Sequence, residues 1–171
     1  GGLPDRLCLF DLLTVEEHLS MAGPIYGLSR PETEARAGQL LHVLGLEPAR
    51  YTYADHCSHG TRKKAALAMA LLHNPRVLFL DEPFEGVDPL TSRVIRDLLQ
   101  SLATRGVTVF FTSHILSIAE RIATHAILLR KGRVVWNQPA TAFSGSMEEL
   151  YFDLIEAPNP QDLPWLGSHH S

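Results

Sequence analysis

The sequence predicts an α/β protein, a parallel sheet with a helical block attached, and three observations carry that prediction. Two short runs, Arg76 to Leu80 and Val107 to Thr112, are mostly apolar without strict alternation. Such strands belong to a parallel sheet covered on both faces. Between them, Pro89 to Thr104 places Val94, Ile95, Leu98, Leu99 and Leu102 on one side of a helix, the crossover that joins parallel strands. Upstream, residues 11–45 carry two helix starts and a helical repeat of apolar positions.

The elements follow in order. Residues 1–10, with Gly1-Gly2 and Pro4, read as a short segment without a helix. Thr14 stands where it can cap a helix over about 15–22, with Glu16 and Glu17 in its first turn. Gly23-Pro24 and Gly27 are breakers. A second helix begins at Ser29 as N-cap, with Pro31 and Glu32 in the first turn. Ala37, Leu40, Leu41 and Leu44 form its apolar side, and Gly45 ends it. After the loop from Glu47 to His59, the Ala/Leu-rich run from Ala65 to Leu72 favours a helix that starts right after Gly60 and stops before Asn74-Pro75. Beyond the second strand, a helix over Ile115 to Ala123 leads to a strand at Ala126 to Leu129. Lys131-Gly132-Arg133 then turns the chain into Val134-Val135-Trp136. A last helix, about Met147 to Ile155, precedes a polar, Pro-bearing tail over 157–171 that is expected to be mobile.

Composition bounds the function. The chain has 171 residues, 45% hydrophobic and 20% charged, which is ordinary for a globular protein and excludes disordered and collagen-like classes. A chain of this size buries about two-thirds of its unfolded surface, so it can hold a core without disulfides. The net charge of −4 offers no overall electrostatic attraction for nucleic acid. Two cysteines, Cys8 and Cys57, form no disulfide framework, and a reducing compartment, the cytoplasm, is expected. The longest apolar stretches fall short of the roughly 20 residues that cross a bilayer.

The chemistry concentrates at strand ends. Val77 to Leu80 runs directly into Asp81-Glu82-Pro83. That places two successive carboxylates at the carboxyl edge of a parallel sheet, where phosphate-bearing ligands bind in open α/β folds. One acid can hold Mg²⁺ through water while its neighbour polarises an attacking water. Ser58-His59-Gly60-Thr61 opens a helix and offers free backbone N–H groups at its positive end. Gly86-Val87-Asp88-Pro89 follows the acid pair, and Thr112-Ser113-His114 ends the next strand, bringing His114 to the same edge as Asp81 and Glu82. Each alone fits a plain cap, turn or loop. Taken together, their order and spacing leave little room for that plain reading.

This constellation resembles the nucleotide-binding domain of ATP-binding cassette (ABC) ATPases over roughly residues 1–140. Cys57 to Thr61 resembles the signature motif, Leu78 to Asp81 the Walker B strand, Phe84 to Asp88 the D-loop, and Gly2 to Asp5 the Q-loop segment. The resemblance implies a P-loop NTPase (RecA-like) fold divided into a Q-loop segment at 1–10, a helical subdomain at 11–75, core at 76–140 and a C-terminal helix and tail at 141–171. It implies ATP and Mg²⁺ as ligands, with Asp81 and Asp5 toward the metal, Glu82 aligning the attacking water and His114 sensing the γ-phosphate. Ser58, His59, Gly60, Thr61 and Asp88 would serve nucleotide held across a head-to-tail pair of such domains. An integral membrane permease subunit is the implied partner, on the cytoplasmic face of the membrane, and the Ser-His-Gly signature and Leu-Pro-acid Q-loop look most like bacterial export-type transporters. Two other functions remain open: a soluble ABC-type ATPase acting on nucleic acid or the ribosome, and a non-catalytic, degenerate subunit.

Departures from the family pattern are specific. Asp5 stands where many members have Gln, and His59 and Thr61 replace Gly and Gln of the commonest signature. No Gly-x-x-x-x-Gly-Lys-[Ser/Thr] loop occurs, and the chain starts at Gly1 without Met. The expectation is a chain whose N-terminal portion has been cut away, weak in ATP binding by itself and prone to aggregate through an unpaired sheet edge. His56, Cys57 and His59 beside Asp55 carry ligand-type side chains, but they lie within the signature-like region, which is preferred over a metal site. Arg62-Lys63-Lys64 reads as a solvated basic face, and His169-His170 as tail or tag-like.

Overall fold

The computed structural model describes residues 1–5, 7–142 and 145–154, and the tail at 157–171 lies outside the described residues. The described chain divides into two units, Gly1–Ile115 and a second that begins at Leu116.

In the first unit the helices are set by their caps. Helix α1 (Val15–Ile25) begins at Thr14 and helix α2 (Arg30–Val43) at Ser29, and each start is a capping box in which the hydroxyl accepts from the N3 amide while Glu17 or Glu32 returns to the cap amide. Helix α1 runs three residues beyond its expected end. Pro24 falls in its last turn, and the chain turns out of the helix only at Gly27, whose φ is +76°. Gly23 is the reason α1 and α2 approach closely. A Cβ there would lie 2.0 Å from Thr33 Oγ1, so no larger residue fits. Helix α3 (His59–Leu71) begins at Ser58, slightly before the expected start, because the Ser58 hydroxyl accepts from Thr61 N and draws His59 and Gly60 into the first turn.

The sheet has three parallel strands in the order β1 (Gly2–Leu3), β2 (Val77–Leu80), β3 (Thr108–Phe111). The crossover helix α4 (Pro89–Thr104) spans the expected residues. Strand β1 was not expected: its two residues carry no strand signal and are extended because Gly2 and Leu3 pair with Phe79 and Leu80. Leu3, Leu78 and Leu80 face the core, where α3 contacts β1, α4 contacts β3 and the two helices meet. Leu67, Leu78 and Ile95 are fully buried, each contributing roughly 1.5–3 kcal/mol of hydrophobic stabilisation.

The expectation of a sheet covered on both faces is corrected. Among the described residues the second face of β2 and β3 is open: Phe79 is 59% and Phe110 51% exposed, and their rings stack on one another at 5.4 Å. A concavity of about 520 Å³ lies there, lined in part by Leu3, Phe79, Phe110, Asp81 and Thr112.

The second unit holds α5 (Leu116–Ile122), the antiparallel hairpin β4 (His125–Arg130) and β5 (Arg133–Pro139), and α6 (Met147–Leu154). Lys131 and Gly132 turn the hairpin with φ of +48° and +75°, and β5 extends beyond the three residues expected of it. No helix of the described residues is long and apolar enough to cross a membrane.

Candidate functional site

Three of the expected residues converge at the carboxyl edge of the sheet. Parallel pairing carries β2 and β3 to the same edge, so Asp81 and Glu82 emerge beside Thr112 and His114. The Asp81 amide donates to Leu3 O at 2.8 Å, which fixes the start of the acidic turn against β1. Thr112 Oγ1 donates to Asp81 Oδ1 at 2.5 Å and accepts from the Glu82 amide at 3.0 Å, so one hydroxyl tethers both acidic residues. Glu82 Oε2 receives His114 Nδ1 at 3.0 Å and the His114 amide at 3.3 Å. An ionised carboxylate only accepts, so Nδ1 carries the proton and Nε2 of the neutral ring is an acceptor. Glu82 itself has a φ of +45°, in the left-handed region that a side chain makes unfavourable.

Asp5 follows β1 at the same edge and is exposed. Asp5 and Asp81 each carry hard oxygen donors of the kind that could hold Mg²⁺, which takes one or two carboxylates and leaves its remaining positions to water and phosphate.

The signature-like residues form a second group at the N-terminus of α3. Ser58 Oγ and Thr61 Oγ1 lie 2.9 Å apart, and the Ser58 hydroxyl also accepts the Thr61 amide. Gly60 is buried against α4: a Cβ there would meet Thr91 Oγ1 at 3.4 Å and Asp88 Oδ2 at 3.5 Å. Asp88 is the N-cap of α4. Its carboxylate accepts from the Thr91 hydroxyl and from the Thr91 and Leu90 amides, which hold its pKa below the usual aspartate value. His59 lies against Gly86, where a Cβ would come within 3.1 Å of the imidazole, and Gly86 has a φ of +66°.

No hydrogen bond or ion pair among the described residues joins Ser58, His59 or Thr61 to Asp81, Glu82 or His114. The link between the groups is one the sequence did not announce. Lys63, expected on a solvated face, is 2% exposed, and its Nζ donates to the carbonyls of Glu82 and Glu85 at 2.7 and 2.8 Å. Arg62 is also engaged, bonding Ala54 O at 2.7 Å and Asp11 at 3.3 Å. Thr112 is the other residue missed. Its place at a strand end beside His114 was the available signal.

The chain as a whole is similar to several known proteins. A family model described as an AAA domain, putative AbiEii toxin, Type IV TA system, matches residues 25–120. The ABC transporter ATP-binding protein NatA of Bacillus subtilis is 31% identical over 92% of this chain and 60% of its own length. The phospholipid-transporting ATPase ABCA3 of Homo sapiens is 32% identical over 99% of this chain and 10% of its own. Among solved structures, an ATP-binding subunit of an ABC transporter superposes with a TM-score of 0.80 at 32% identity, covering 90% of this chain and 67% of that one. A dimeric ATP-binding cassette in a post-hydrolysis state, bound to ADP and Pi, superposes with a TM-score of 0.76 at 26% identity, covering 84% and 63%. Fold and matches together define an α/β P-loop NTPase domain. The chain belongs to the ATP-binding cassette family, and it spans 60% or less of the curated relatives named here.

Proposed function

We propose that the protein carrying this chain is the ATP-hydrolysing subunit of an ABC transporter of export type, working as a head-to-tail pair beside an integral membrane permease. The observation that carries this proposal is the tethered acid pair: Asp81 and Glu82 share the Thr112 hydroxyl, and the Glu82 carboxylate is aimed by His114 at 3.0 Å. Glu82 is suited to orient a water toward the γ-phosphate and to take its proton. Asp81 and Asp5 would hold Mg²⁺, which supplies neutralisation of phosphate charge when bound. Because His114 Nδ1 donates to Glu82, contact of Nε2 with a phosphate oxygen as donor requires the doubly protonated ring.

Ser58, His59, Gly60 and Thr61, at the positive end of a 13-residue helix, are suited to an anion, which in the proposed head-to-tail pair is the nucleotide held by the other copy. Asp88, at the start of α4 beside Gly60, would lie at that junction. The open face of β2 and β3 supports a longer polypeptide whose additional segment covers Phe79 and Phe110 and supplies a phosphate loop. In that polypeptide, residues 1–10 form the Q-loop segment, 11–75 the helical subdomain, 76–140 core and 141–171 the C-terminal helix and tail. The test is ATP hydrolysis by the full-length protein as a function of its concentration. Rates that rise with the square of concentration below the dimerisation constant and are abolished by Ser58→Arg support the proposal. Hydrolysis first order in protein, unaffected by that substitution, would refute it.

A further inference from the structure

Among the described residues, Lys63 is a cation that the fold buries to 2% exposure. No carboxylate among the described residues lies within ion-pairing distance of Lys63, and its ammonium is given to two backbone carbonyls, Glu82 O and Glu85 O. Burial of an ammonium is costly unless its donors are used. The groups of opposite charge around it are Glu85, Asp5 and Glu82, while burial pulls its pKa down. A methionine would fill the same space without a charge to desolvate, so what the lysine adds is its hydrogen bonds to the turn at 82–85.

That turn needs holding. Glu82 is a non-glycine residue at φ +45°, a conformation that persists only where the surroundings determine it. Two contacts hold its peptide groups: Thr112 Oγ1 accepts from its amide, and Lys63 Nζ donates to its carbonyl. The first comes from β3, the second from α3, the helix that starts at Ser58.

We propose that Lys63 is a positioning residue for hydrolysis, an ammonium clamp that holds the 82–85 turn so that the Glu82 carboxylate is aimed, and that ties this aim to the placement of the Ser58 end of α3. The catalytic part of the inference rests on Glu82 being the hydrolytic base; the clamp itself does not.

The experiment uses the full-length protein and the variants Lys63→Met, which keeps the aliphatic stem and loses the donors, and Lys63→Arg, which keeps donors. Steady-state ATP hydrolysis is measured together with amide hydrogen exchange and the φ-dependent amide coupling of Glu82 without nucleotide. Expected for Lys63→Met is a kcat lower by roughly ten- to a hundredfold, the scale of a misplaced catalytic group, with KM within about twofold. Exchange at residues 83–86 rises and the Glu82 coupling leaves its wild-type value, while α1 and α2 keep theirs. Lys63→Arg recovers most of the kcat. Should Lys63→Met fail to fold, Lys63→Gln, with one donor group, is expected to give an intermediate kcat and the same local exchange. A folded Lys63→Met or Lys63→Gln protein with wild-type kcat and wild-type exchange at 83–86 would overturn the proposal. A wild-type protein without ATPase activity would refute the hydrolytic function, and the exchange and coupling data would still decide the clamp.

Discussion

Replacing Thr112 by valine removes one hydroxyl from the centre of the site and leaves the side chain's shape. The hydroxyl makes two bonds, a 2.5 Å donation to the Asp81 carboxylate and a 3.0 Å acceptance from the Glu82 amide. Hydrogen bonds to charged groups contribute about 1.5–3 kcal/mol and neutral ones about 0.5–1.5, but both of these are exposed to water that can replace them. The net loss of stability should therefore be small, about 1 kcal/mol, or 2–4 °C in Tm for a domain of this size. The loss of activity should be larger, because Asp81 and Glu82 are tethered through the same oxygen and both lose their alignment. A roughly ten- to hundredfold fall in kcat is expected, against a near-normal rate for Thr112→Ser, which restores the hydroxyl. Phosphate release by the full-length protein and a thermal melt on the same samples make the comparison. Thr112→Val at wild-type kcat with an unchanged melt would refute the tether. So would Thr112→Ser failing as badly as valine.

Other consequences follow from local geometry. Gly23→Ala places a Cβ 2.0 Å from Thr33 Oγ1 in a buried contact, so overpacking of about 1–3 kcal/mol should outweigh the helix-propensity gain, and urea unfolding should show a lower midpoint. The Thr14 backbone amide holds Glu17, and the Ser29 hydroxyl holds Glu32, below the ordinary glutamate pKa of 4.5. A lowered folded pKa means that these caps stabilise fully above pH 4.5 and lose that contribution as the pH falls through the folded values. Carboxyl NMR titration should show both groups ionising below free glutamate, and Ser29→Ala should return Glu32 toward it. Gly86→Ala should destabilise the turn, because φ +66° disfavours any side chain and His59 stands 3.1 Å from the added Cβ; His59→Ala combined with it should recover only the steric part.

The features legible in the sequence were those decided by neighbours along the chain. Ser29 with Glu32 fixes a helix start by its own side-chain bonds, and Pro89 to Thr104 matches its observed helix to the residue because Asp88 caps it and Gly106 follows. The acid pair and His114 were legible because parallel strands deliver their carboxyl ends to one edge. What escaped depends on partners distant in sequence. Gly2 and Leu3 are a strand because Phe79 and Leu80 lie beside them. Lys63 sits in a run of three basic residues that looks solvated, and only the carbonyls of residues 82 and 85, brought to it by the fold, make burial tolerable. The left-handed backbone of Glu82 has no local signal at all, since glutamate does not favour it. Conversely, the apolar strands implied two covered faces, and the exposure of Phe79 and Phe110 shows that the described residues cover one.

The most direct test of the hydrolytic function is single-turnover ATP hydrolysis by the full-length protein and its Glu82→Gln variant, with ATP binding measured in parallel. A general base contributes about 10²–10⁴-fold, so Glu82→Gln should bind ATP with near-wild-type affinity and hydrolyse it slower by that factor. Hydrolysis by Glu82→Gln at the wild-type rate would contradict the assignment of Glu82, and with it the account of this sheet edge as the hydrolytic half of an ATP site.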